Sequence, residues 1–105
     1  MSNQKNEREK QRQLLVDALY SLSSKEDYYI FLNSFLSPRE FDSLAQRLAI
    51  AINIIDGNSY ESVKTIVVAS TATIGKVKRS LFYSNTSQRL QDIIRFISKN
   101  VQSDK

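Results

Sequence analysis

The sequence predicts an all-α chain of six helices. Apolar residues recur every three or four positions in one segment after another, which is the period of a helix with one buried face. Helix-start and helix-stop residues fall between those segments, and no stretch alternates apolar and polar residues as a half-buried strand would. At 105 residues, 41% hydrophobic and 25% charged, the chain has the size and makeup of one small globular domain, taken as 1–105.

The first dozen residues, 1–12, are polar and are expected to form a frayed arm that merges into the first helix near Asn6. Within that helix Leu14, Leu15, Ala18 and Leu22 form an apolar stripe. A second helix follows Ser24, opened by Lys25, Glu26 and Asp27, and its "YYIFLNSFL" is expected to supply core aromatics. "LSPREF" announces the third: Ser37 caps, Pro38 takes the first helical position and Glu40 completes a capping box. This helix is expected to run to Asp56 and stop at Gly57. From Leu48 to Ile55 only Asn53 is polar, so the segment needs burial on nearly every side, which a chain this small supplies only by dimerising.

Asn58 or Ser59 caps a short fourth helix, "YESVKTIVV", with Glu61 placed three residues after Asn58 for a capping box. A fifth starts near Ser70 or Thr71 after a tight turn at Ala69, which makes residues 58–82 a helix-turn-helix. The sixth, in "NTSQRLQDIIRFISKNV", is expected to turn Leu90, Ile93, Ile94 and Ile97 inward.

Chemistry narrows the functions open to such a chain. With no cysteine and no histidine there are no disulfides, no thiolate or imidazole ligands, and no histidine general base. No phosphate loop, GxSxG or SxxK pattern occurs either, so the chain is expected not to be an enzyme and to hold no metal and no cofactor. No run is long and apolar enough to span a bilayer, and "MSNQKNEREKQRQ" has no hydrophobic signal core; a cytoplasmic location, on the nucleoid, is expected. Charge is divided sharply. Residues 1–61 carry seven Lys/Arg against nine Asp/Glu, whereas residues 62–105 carry eight against two. Between Glu61 and Asp92 there is no carboxylate at all, yet Lys64, Lys76, Lys78, Arg79 and Arg89 lie there. Such a patch favours a polyanion partner, or less specifically an acidic protein or membrane surface; from charge alone a solvated basic face is an equal reading.

The packing of the motif fixes what faces outward. If Val63 and Val67 meet Ile74 and Val77, and Leu81 also points inward, a rotation of ~100° per residue leaves Ala72, Gly75, Lys76, Arg79 and Tyr83 on or near the open face. Small residues let a helix backbone approach base edges in a major groove, and the basic residues beside them neutralise phosphates or reach guanine. Val68 stands where such turns commonly have glycine, and Lys64 where a small alanine usually packs; a β-branched residue suits a left-handed turn poorly, so an atypical turn is expected.

"FLSPREFDSLAQRLAIAINIIDGNSYESV" followed by "ASTATIGKVKRSLFYSN" resembles the Trp-repressor superfamily, in particular its YerC/YecD-type branch, over about Asp27 to Asn85. The resemblance implies an intertwined all-helical homodimer that presents its helix-turn-helix to double-stranded DNA as a transcriptional regulator. It places Ser70, Thr71, Ala72, Gly75 and Lys76 in the turn and at the start of the recognition helix, and Ser59, Glu61 and Lys64 on the supporting helix. With the basic cluster, the expected DNA-binding set is Ser59, Lys64, Ser70, Thr71, Ala72, Thr73, Gly75, Lys76, Lys78 and Arg79.

The resemblance implies an effector pocket less completely. Tryptophan-binding members hold the indole between two arginines with a glycine beside the second; Arg47 matches the first, but Lys76 and Val77 replace the other two. An ammonium does not stack as a guanidinium plane does. Ser37, Arg47, Thr73, Lys76 and Ser80 remain as polar positions for a small-molecule effector, with tryptophan not the expected one. Repression is expected over activation, because no separate segment is present to recruit polymerase. The alternative is a helical dimer acting as a protein-interaction module through its basic face. RNA is disfavoured because a recognition helix does not fit the A-form major groove.

Overall fold

The computed structural model describes residues 2–101 of the chain. It contains α1 (Ser2–Ser21), α2 (Lys25–Phe35), α3 (Pro38–Ile55), α4 (Tyr60–Val63), α5 (Thr71–Phe82) and α6 (Ser87–Val101), with a π-helical segment, Lys64–Val68, continuing α4. No strand occurs among the described residues, as the sequence predicts. Met1 and residues 102–105 of the expected domain lie outside the described residues. The contacts of the chain fall into two compact units, one up to Phe41 and one from Asp42 onward.

In the first unit, α1 starts at Ser2 and so covers the stretch assigned to a frayed arm. Residues 3–17 are exposed throughout, so it is not packing that makes them helical but their makeup, rich in Gln, Glu, Lys and Arg. Ser24 caps α2 by accepting the Asp27 N–H at 3.0 Å. The Tyr28 hydroxyl reaches back to α1 and donates to the Leu19 carbonyl at 2.9 Å. The aromatics of α2 are not the core expected of them: no α2 residue is buried in this chain, and Phe35 is 75% exposed. Leu14 and Leu15 of the α1 stripe are exposed as well. An apolar stripe marks a face and does not say what covers it. Around Pro38 the predicted capping box is complete, with the Glu40 N–H donating to Ser37 Oγ at 3.1 Å and the Ser37 N–H to Glu40 Oε1 at 2.8 Å.

The second unit holds the core. Ile50, Ala51, Val63, Ile74, Val77, Leu81 and Ile94 are buried together, with Val67, Ala69, Leu90 and Ile97 packed against them. Of the apolar run on α3, then, only Ile50 and Ala51 are buried within this chain, and Leu48 is 42% exposed. Asn53 stays in the run because its amide is satisfied: it donates to the Ala49 carbonyl at 2.8 Å, and its oxygen accepts from Asn58 Nδ2 at 2.9 Å. Gly57, at φ 94, turns the chain out of α3 as predicted. Ile93 differs from expectation in lying exposed, since the buried face of α6 follows Leu90, Ile94 and Ile97.

The corner between α5 and α6 is held by polar contacts that apolar periodicity does not announce. The buried Ser87 hydroxyl accepts the Ser84 N–H at 2.7 Å and donates to the Ser80 carbonyl at 3.1 Å. Gln91 Nε2 donates to the Leu81 carbonyl at 2.7 Å, satisfying a helix-terminal acceptor of α5. Replacing Ser87 with Ala is therefore expected to cost about 1–3 kcal/mol, the range for stranding a buried partner, read as a lower midpoint in thermal or urea unfolding.

Candidate nucleic-acid interface

The helix-turn-helix starts at Ser59, which caps α4 by accepting the Ser62 N–H at 3.2 Å; Glu61 does not form the box weighed for it, since Asn58 is turned toward Asn53. After one turn of α-helix the backbone slackens into the π-helical segment, so the predicted fourth helix is α only as far as Val63. Nothing in "KTIVV" signals this, as π-helical turns have no glycine or proline marker. Val63 is fully buried and Lys64 points to solvent, so a long side chain fits at 64 without entering the core.

Val68 then adopts φ 60, the left-handed conformation that glycine would take there without strain. The turn thus keeps the usual geometry despite its residue, and what is atypical is the π-helical run before it. For a β-branched side chain this conformation costs about 1–2 kcal/mol. The Val68 side chain is 79% exposed, so packing does not offset the cost. Gln46 on α3 donates from Nε2 to the Val68 carbonyl at 3.2 Å.

Ser70 caps α5 by accepting the Thr73 N–H at 3.2 Å, and its hydroxyl lies 3.0 Å from Thr73 Oγ1. Ile74, Val77 and Leu81 face inward as predicted. Thr71, Ala72, Lys76, Lys78 and Arg79 are exposed, Thr73 and Gly75 half-buried. A Cβ placed on Gly75 would stand 3.7 Å from Arg79 Nη1, so the guanidinium lies along the bare backbone there. The ion pair found among the described residues, Arg95 with Asp92, lies on α6; Lys64, Lys76, Lys78 and Arg79 have no such partner. Of the ten positions expected to meet DNA, Ser59, Ser70 and Thr73 have hydroxyls already engaged in capping, and the remaining seven present backbone or side chain outward or beneath Arg79.

Beside α5 opens a cleft of about 310 Å3, lined by the apolar Leu44, Leu48, Ala51, Val77, Leu90 and Ile94 and by Arg47, Lys76 and Ser80. Three of the five suggested effector-pocket residues thus come together. Ser37 and Thr73 do not line the cleft: Ser37 is committed to the α3 capping box and Thr73 to Ser70. Lys76 belongs both to the cleft and to the exposed side of α5.

A family model described as Trp repressor protein matches residues 10–96. The chain belongs to the Trp repressor family. It is 39% identical over 83 residues to the uncharacterized protein YerC of Bacillus subtilis strain 168, a match that covers 79% of this chain and 80% of YerC. A crystal structure from Staphylococcus aureus, provisionally described as a Trp repressor, superposes with a TM-score of 0.70 at 36% identity and covers 79% of this chain and 84% of its own. Trp repressor-like proteins are DNA-binding regulators and not enzymes. The matched region takes in the helix-turn-helix, the cleft and most of α6, and leaves out the first nine residues.

The strain at Val68 has a measurable consequence. Val68→Gly removes a left-handed β-branched residue whose side chain contributes little packing, and against it stands the greater chain entropy of an unfolded glycine. The net expectation is a gain of about 0.5–1 kcal/mol, seen as a midpoint several degrees higher in thermal unfolding. A drop of similar size would show that the turn is not strained.

Proposed function

We propose that this Trp repressor family protein is a homodimeric, sequence-specific regulator that lays α5 in the major groove of a palindromic operator and represses transcription, on the nucleoid in the cytoplasm. The observation that carries this reading is the solvent face of α5. There Thr71, Ala72, Lys76, Lys78 and Arg79 stand open, the three basic residues without a carboxylate partner among the described residues, next to a turn anchored on a helix of the core. A cationic helix face without internal neutralisation gains most from displacing counterions on a duplex.

Dimerisation is supported by apolar surface that one copy leaves uncovered. Between α1 and α2 lies a groove of about 520 Å3 whose lining is Leu14, Leu15, Ala18, Phe31 and Phe35 with Gln11. Two copies give the two-fold symmetry that a palindrome mirrors. The cleft at Arg47, Lys76 and Ser80 suits a small-molecule effector, because Lys76 joins it to the DNA-facing side of α5. Tryptophan is a poor candidate, since Lys76 supplies a point charge where a planar guanidinium would stack, and the bulk of Val77 stands beside it.

The deciding experiment is selection of genomic fragments by the purified protein. A recurring inverted repeat is expected; enrichment of no sequence would favour a protein-interaction role for the basic face. On the selected operator, Arg79→Ala or Lys76→Ala should cost about 1–3 kcal/mol if the side chain reads a guanine, with a smaller loss on random duplex. Lys78→Ala should weaken both alike and lower the salt slope by about one unit. Gly75→Leu has room in the free protein once the flexible Arg79 side chain moves, so it should leave folding intact and abolish operator binding. Sedimentation should find dimers, and calorimetry should find no tryptophan binding at micromolar affinity.

A further inference from the structure

We infer that Gln46 is a positioning residue for DNA reading: its side-chain amide holds the carbonyl of Val68 and thereby fixes the strained turn from which α5 departs. The consequence for DNA rests on the reading of α5 as the recognition helix; the clamp itself does not.

Val68 lies in the left-handed region at φ 60, and its side chain is too exposed for packing to hold it there. The segment that ends at Val68 is π-helical, so the regular α ladder does not run into the turn. The residue after it, Ala69, is extended. A short change at one residue therefore separates two directions of the chain, and a 3.2 Å bond from Gln46 Nε2 reaches Val68 from outside the motif. The donor is necessarily the amide nitrogen, because a backbone carbonyl only accepts. Gln46 stands one helical turn before the fully buried Ile50 on α3, on the same face, so the amide projects from an anchored helix. The apolar contacts of Val63, Val67 and Ile74 pull the motif together without strongly preferring an angle, whereas a hydrogen bond is directional. Sequence separation hides the pair: the two positions are 22 residues apart, and one partner is backbone.

The test uses the full-length protein and Gln46→Met, which keeps length and neutrality and removes the donor. Exchange of the Thr73 and Ile74 backbone amides, which donate to the Ser70 hydroxyl and carbonyl at the start of α5, should accelerate, and the preference for the selected operator over random duplex should fall, each by about fivefold or more, while the helical signal and dimer persist. Adding Val68→Gly should restore both to within about twofold of the Val68→Gly protein alone, since glycine holds the left-handed conformation unaided. A general loss of stability would add to the effect of Val68→Gly and leave the double variant about fivefold away from the Val68→Gly protein. Unchanged exchange in Gln46→Met overturns the clamp, as does failure of the rescue. Faster exchange with unchanged operator preference overturns the positioning role. If the wild-type protein prefers no sequence, the regulator reading falls and exchange with its rescue still judges the clamp.

Discussion

Everything that α5 presents to solvent follows from how it is buried. Ile74, Val77 and Leu81 close against Ile50, Ala51, Val63 and Ile94 to make a core of very few side chains, and once those three point inward the helical period dictates the rest. Thr71, Ala72, Lys76 and Arg79 are outward because there is no other place for them. A small core has little slack. Loss of one of its members would leave a cavity that the short helices around it could close only by shifting, and the basic face would shift with them.

Much of this is legible in the amino-acid sequence. Helix starts are the clearest signal, since a cap is a contact between residues three apart and needs no tertiary context: Ser37 bonds in the capping box its neighbourhood implies, and Ser24 and Ser70 cap helices that start where the sequence expects them. The inward triplet of α5 was equally readable from its spacing. Val68 could be singled out because one kind of residue is suited to that corner, although the sequence alone suggested that the turn would change and not that the valine would accept the strain.

What sequence did not disclose depends on distant or absent neighbours. Gln46 looks like any polar residue on a helix until the Val68 carbonyl is placed beside it. The π-helical turn has no compositional marker. Phe35, Leu14 and Ile93 are apolar residues at plausible core positions, and their exposure shows that periodicity predicts a face without naming what covers it. The cleft is a mixed case: Arg47, Lys76 and Ser80 are suggested by family resemblance and do meet, whereas Ser37 is held by the capping box that local sequence announces and Thr73 by a contact with Ser70 that it does not.

The serine caps also bear on how the chain folds. Because Ser24, Ser37, Ser59 and Ser70 start their helices through local bonds, nuclei for α2 through α5 are encoded before any long-range contact exists, and few of the contacts in the chain are long-range. Such a chain acquires its helices on the fast timescale of local structure. If two copies must meet to cover the apolar faces of α1 and α2, the slow step is their encounter, and the folding rate then rises with protein concentration. Supply of the polypeptide would thereby control how quickly working molecules appear as well as how many.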